Sequence, residues 1–284
     1  MSGERSAEQS AELSESGERV GDLDLVRAAF RDECARLTEV LATLDPADLD
    51  RPTRCAPWTL AELLAHVRTG AGRLVDMLAA PAPTGALVDA AGYFGAAKFT
   101  PDVDAARIGA AQAEAARVES ARAETSGIDA GQVEAGRGRV EGRGWGQGRS
   151  GPGRPWSGGG AGPGVDFERA WRATLAAVDA HPPERVVRTR HGDAMTVPEF
   201  LRTRVVEVGV HGLDLAAALD RPPWLTATAS RVIADLLTGG RRLPAELGWD
   251  RLTLIAKVTG RAGCSRAEQA VLSGVGLPLL SFGR

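Results

Sequence analysis

Glu207 and His211 stand four residues apart in the apolar stretch VVEVGVHGLDLA (205–216), and Asp214 follows one turn later. On a helix, residues three or four apart share a face, so the three side chains form one stripe with valines on its flanks. A carboxylate and an imidazole turned toward a core need a partner, either another protein group or a metal ion. His66 is placed in the same way: in PWTLAELLAHV (57–67) it lies two helical turns after Thr59, beside Leu63, Leu64 and Val67. Should the two helices be neighbours, two imidazoles and one carboxylate converge on a divalent ion and leave coordination positions open, as catalytic rather than structural sites do. Alone, an E-x-x-x-H pair is more often a surface ion pair, and a core histidine is more often just hydrogen-bonded. The conjunction of both on apolar flanks is what favours a metal.

Positioning these groups falls to a mainly α chain. Apolar residues at Leu25, Phe30, Leu37, Val40 and Leu41 give a first helix from Asp22, ended by Asp45-Pro46. Thr59 and Glu62 have capping-box spacing and predict a second helix starting at Thr59, while the alanine-rich stretch 102–125 predicts a third with a narrow apolar face. FERAWRATLAAVDAHPP (167–183) predicts an amphipathic helix, and RVVRTRHGDA (185–194) a short extended piece. Thr196 and Glu199 repeat the capping spacing, with Pro198 early in the helix that carries Glu207 and His211. Residues 1–20 lack apolar periodicity and read as a disordered tail, and the Gly/Arg/Pro-rich run 127–165 reads as a flexible insertion. The remaining expectation is a bundle over 21–220 and a small α/β segment over 221–284, with a helix near 226–240, a strand DRLTLIAKV (250–258) and a last helix near 265–276.

Composition narrows the class of partner. Hydrophobic content of 43%, charged content of 25% and net charge −3 describe an ordinary globular chain with no general attraction to nucleic acid, so a small-molecule partner is expected. The arginines and tryptophans of 127–165 could touch RNA, but a solvated linker is the reading composition favours. The polar, acidic beginning is not a signal peptide, and no apolar run approaches the roughly 20 residues of a membrane span. Cys34, Cys55 and Cys264 form no C-x-x-C pair and read as buried or incidental thiols, which suits a reducing cytoplasm. No phosphate-binding glycine motif is present, and His191 in RTRHGD reads as a loop residue.

PWTLAELLAHV at 57–67 followed by RVVEVGVHGLDLAAAL at 204–219 resembles the mycothiol-dependent maleylpyruvate isomerase family, a branch of the DinB-like metal-binding four-helix bundles. The similarity extends to the ending KVTGRAGCSRAEQAVLSGVGLPLL. It implies a DinB-like bundle holding a divalent ion, commonly zinc, on His66 of the W-T-x6-H motif and on Glu207 and His211 of E-x-x-x-H. It further implies mycothiol as a thiol cosubstrate. In the family's isomerase reaction the thiolate adds to a conjugated cis double bond, rotation follows about the new single bond, and elimination leaves the trans product; a thiol transferase stops after addition or displacement. The same metal site serves both.

Three further residues are candidates. Asp214 either orients His211 or makes a surface or interhelical salt bridge. Arg204, one turn before Glu207, either binds a substrate carboxylate or pairs with Glu62 or another structural acid. Arg261 in VTGRAG is preferred as a substrate residue because the family's isomerases bring an arginine from their C-terminal part toward the metal. The insertion at 127–165 and the short C-terminal segment depart from those isomerases. Two other functions compete: a non-catalytic metal-binding or regulatory module that meets a partner through the Gly/Arg segment, and a purely structural bundle. A homodimer is compatible with either, since an open site is often shielded by a second copy.

Overall fold

The computed structural model describes residues 2–95, 105–106, 108–117, 120 and 162–277, with side chains from Asp22 onward. Four long helices make the bundle: α1 (Ser2–Leu41), α2 (Leu60–Gly72), α6 (Pro163–Asp179) and α7 (Val197–Ala218). Both α1 and α2 pack against α6 and α7, so α2 and α7 are neighbours. Between them lie the short helices α3 (Leu74–Ala79) and α4 (Ala90–Tyr93), and the helical stretch α5 at 108–117. A two-stranded antiparallel hairpin, β1 (Val186–Arg188) and β2 (Ala194–Thr196), pairs Val187 with Met195 and leads directly into α7. It fills the place of the extended piece expected there.

The apolar periodicity of each helix explains the packing. Val26, Phe30 and Leu37 of α1, Leu60, Leu63 and Val67 of α2, Phe167 and Trp171 of α6, and Phe200, Leu201 and Val205 of α7 form one continuous buried core. Polar groups inside it are matched locally. The Trp171 indole donates to Thr38 at 3.2 Å, and the Thr174 hydroxyl donates to the Ala71 carbonyl at 2.6 Å.

Several expectations need correction. α1 begins at Ser2, so the backbone of 2–20, expected to be a disordered tail, is helical; glutamate- and alanine-rich sequence added to an existing helix requires no new nucleus. α6 begins at Pro163 rather than near Asp166, because Pro163 suits the first helical turn. The rest of the insertion, 127–161, lies outside the described residues. Thr196 caps α7 without a side-chain hydrogen bond, and the reciprocal half of the expected box is absent because the Glu199 carboxylate is taken by the Ala90 amide at 2.7 Å and by Arg202 at 3.2 Å.

Among the described residues after 220 the regular elements are helices and no strand forms: α8 (Ala227–Thr238), α9 (Arg251–Val258) and α10 (Arg266–Gly274) are joined by turns and loops. α9 occupies the expected strand: the Asp250 carboxylate accepts from the Thr253 amide at 2.7 Å and starts a helix, and Leu254, Ile255 and Val258 make its buried face. α8 docks on α1 and α7, and α9 on α8 and α7. The buried Glu33 of α1 fastens this docking by accepting from the Thr226 amide and hydroxyl, both at 2.8 Å, at the start of α8.

Gly209 sets the approach of α7 to α8, because a Cβ there would lie 2.7 Å from Ile233 Cδ1 and 2.9 Å from Leu225 Cδ1. Gly209→Val is therefore expected to destabilise the fold by about 1–3 kcal/mol, as overpacking does, read as a lowered urea midpoint.

Candidate metal centre

Two local devices hold the donor residues in register. The Thr59 backbone amide donates to Glu62 at 2.7 Å and the Thr59 hydroxyl accepts from the Glu62 amide, which fixes the first turn of α2 and hence the direction of His66 two turns on. Before it, the loop is clasped by Thr53 N–H to Trp58 O and Leu60 N–H to Arg51 O. This brings the buried Trp58 ring against His66, with centroids 4.7 Å apart. From α7, Glu207 and His211 project one turn apart toward α2.

His66, Glu207 and His211 converge as their spacing predicts. His66 Nε2 is 2.5 Å from Glu207 Oε1, His211 Nε2 is 4.0 Å from the same oxygen, and the imidazoles meet edge to face at 5.3 Å. One ligand atom from each lies within 4.8 Å of the others, a set that could hold a metal ion. The three side chains are 14%, 17% and 13% exposed, so the cluster is recessed without being sealed from solvent.

Electrostatics support this arrangement. Burial by itself would raise the Glu207 carboxyl, yet Arg204, His66 and His211 together hold it well below the usual carboxylate range. Asp214 is the key to His211. Its buried carboxylate accepts from His211 Nδ1 at 2.9 Å and from Arg261 Nε and Nη2 at 3.0 and 2.7 Å. Burial opposes its charge, but the bonds from His211 and Arg261 outweigh burial and keep it ionised far below its ordinary range. An ionised carboxylate can only accept, so Nδ1 carries a proton, and in the neutral imidazole the lone pair is then on Nε2, facing the cluster. This tautomer is what metal ligation by Nε2 requires, so the donor set fits a divalent cation.

A second trio, Cys55, His211 and Asp214, also brings ligand atoms together. It is the poorer cation site. The Cys55 thiol donates to Asp214 at 3.2 Å, and burial, followed by the charge and hydrogen bond of Asp214, pushes it up to about 12. Binding there would have to remove that proton and displace Arg261 from its carboxylate.

The remaining candidates are placed clearly. Asp214 orients His211 from within the core. Arg261, 5% exposed in its side chain, spends its guanidinium on Asp214 and on the Thr259 carbonyl at 2.7 Å. Arg204 does not pair with Glu62; its Nη2 lies 3.6 Å from Glu207 Oε2 and its Nε donates to the Thr203 hydroxyl. Gly70 makes room for it, since a Cβ there would sit 3.2 Å from Arg204 Nη1. Trp58, Arg54 (3.8 Å from Asp214) and the role of Cys55 escaped sequence reasoning, and only the apolar run before Thr59 hinted that this loop is packed inward. A separate cavity of about 500 Å³, lined by Leu41, Leu49, Leu64 and Phe167 among others, includes none of the three donors.

A family model described as the mycothiol maleylpyruvate isomerase N-terminal domain matches residues 30–156 and 157–216, a span that takes in the last part of α1, all of α2 and α6, nearly all of α7 and all three donors. The chain belongs to this family. Residues beyond 216, Arg261 among them, lie outside the match. Comparisons with curated proteins and with solved structures give no match. Within the family domain, the bond from Asp214 to His211 is open to a direct test. Asp214→Asn is expected to weaken zinc affinity about 10–100-fold in competition with a chromophoric chelator, as loss of a ligand-orienting carboxylate does.

Proposed function

We propose that this member of the mycothiol maleylpyruvate isomerase N-terminal domain family is an enzyme that binds one divalent cation, zinc in the first instance, on His66, Glu207 and His211. With mycothiol as cosubstrate it catalyses either the cis–trans isomerisation of a maleylpyruvate-like substrate or the transfer of the thiol to an electrophile. The observation that carries this reading is the donor set: two imidazoles and one carboxylate, recessed but reachable, with the His211 tautomer set by Asp214.

A divalent cation bound there supplies Lewis acidity, which lets a thiol ionise at neutral pH. The chain supplies the rest. Three donors from two helices leave coordination positions free for the cosubstrate. Trp58 walls one side of His66 and limits the water that reaches it, and Asp214 with Arg261 prevents His211 from turning. The working compartment in this reading is the cytoplasm; no helix among the described residues is long and apolar enough to cross a membrane. A second copy of the chain covering the open side is compatible with it.

The competing reading, a non-catalytic metal-binding module, predicts a cation that ignores thiols. With cobalt in place of zinc, adding mycothiol is expected to produce a sulfur-to-metal charge-transfer band in the wild type and none in His211→Ala. A cobalt spectrum unmoved by mycothiol would favour the module. Turnover of maleylpyruvate with mycothiol then separates isomerase from transferase, because only the isomerase returns the thiol unconsumed.

A further inference from the structure

The C-terminal segment joins the bundle through the start of α8, where most polar groups are matched. The Thr228 hydroxyl donates to Asp32 at 2.9 Å, and Glu33 Oε2 takes both the amide and the hydroxyl hydrogen of Thr226. The Thr226 hydroxyl also accepts from the Ala229 amide at 3.2 Å, which completes the cap of α8. Two atoms of this joint find no hydrogen-bond partner among the described residues: Glu33 Oε1 and the Trp224 indole Nε1. Both are shut away from bulk solvent, in residues only 0% and 8% exposed.

The two atoms face one place. A Cβ added to Gly212 of α7 would lie 3.2 Å from Trp224 Nε1 and 3.8 Å from Glu33 Oε1. Gly212 is not one of the glycines with positive φ, so its backbone suits any residue, and a glycine inside a helix is disfavoured relative to alanine. What glycine supplies here is room between a donor and an acceptor. The indole N–H can only donate, and the carboxyl oxygen comes from a different element, so each has what the other lacks. Burial raises the Glu33 carboxyl above its ordinary value, and the Thr226 bonds act against it. A small molecule that both accepts and donates satisfies the indole together with either protonation state of Glu33. Buried polar groups left over by the fold are where proteins hold internal water.

We propose that Glu33, Gly212 and Trp224 form a binding site for one internal water molecule. Trp224 Nε1 donates to its oxygen, and one of its hydrogens goes to Glu33 Oε1. The water thereby ties together α1 through Glu33, α7 through the space at Gly212, and the connection into α8 through Trp224. Gly212 follows His211 directly in the chain, and the segment held at this joint is the one that carries Arg261 to Asp214. The site thus anchors the C-terminal segment on the helix that bears Glu207 and His211. It stands independently of the metal and of the function proposed above.

The test is water-selective NMR on the isotope-labelled full chain, with the Trp224 indole signal assigned by its loss in Trp224→Phe, beside a high-resolution crystal structure of the wild type. The indole proton is expected to show a long-lived contact with water, and the crystal to place one water within about 3.2 Å of both Trp224 Nε1 and Glu33 Oε1. Gly212→Ala, which puts a methyl group where the water needs room, is expected to abolish the contact. A wild-type indole proton with no water contact, an indole bonded directly to Glu33, or a water contact that persists in Gly212→Ala would overturn the site. The first two readings come from the wild type alone and decide the matter even where Gly212→Ala does not fold.

Discussion

Glu207 sits where α2 and α7 meet, in an interface otherwise built of valine, leucine and alanine, and burial of an ionised carboxylate in such surroundings costs several kcal/mol unless opposite charge is brought to it. The structure meets this requirement from three directions: His66 across the interface, His211 one turn on, and Arg204 one turn back. Much of the remaining architecture serves that gathering. The Thr59 cap fixes the phase of α2, Gly70 lets Arg204 lie against the helix, and the hairpin β1–β2 delivers the chain into α7 at the start of its buried run.

A second charge system backs the first. Asp214 is more deeply buried than Glu207, and it receives His211, Arg261, the Cys55 thiol and, at longer range, Arg54. The two carboxylates divide the imidazole of His211 between them, Nδ1 to Asp214 and Nε2 toward Glu207. The C-terminal segment therefore has a part in the centre although it lies outside the family match: by carrying Arg261 to Asp214 it keeps that carboxylate charged and His211 in one tautomer. Arg261, expected to meet substrate, gives its guanidinium to Asp214 and the Thr259 carbonyl in this structure.

What could be read in advance was whatever a helix's own period encodes. His66, Glu207 and His211 were legible because polar residues on an apolar stripe stand out at spacings of three and four, and α2 was legible from Thr59 and Glu62. Tertiary competition hid the rest. Glu199 has the spacing of a cap but is drawn to the Ala90 amide and Arg202. DRLTLIAKV alternates as a strand would, yet Asp250 nucleates a helix whose Leu254, Ile255 and Val258 find a buried face on α7 and α8. Cys55 meets Asp214 from 159 residues away, and Trp58 reaches His66 through a loop whose geometry no periodicity describes.

The central claim is that the three converging side chains are a cation site rather than a self-satisfied polar cluster. Metal content by mass spectrometry on the purified full chain, beside His66→Ala and His211→Ala, tests it most directly. The account predicts close to one divalent ion per chain in the wild type and its loss in both variants. A wild type without metal even after reloading, or a metal retained when both imidazoles are removed in turn, would contradict it.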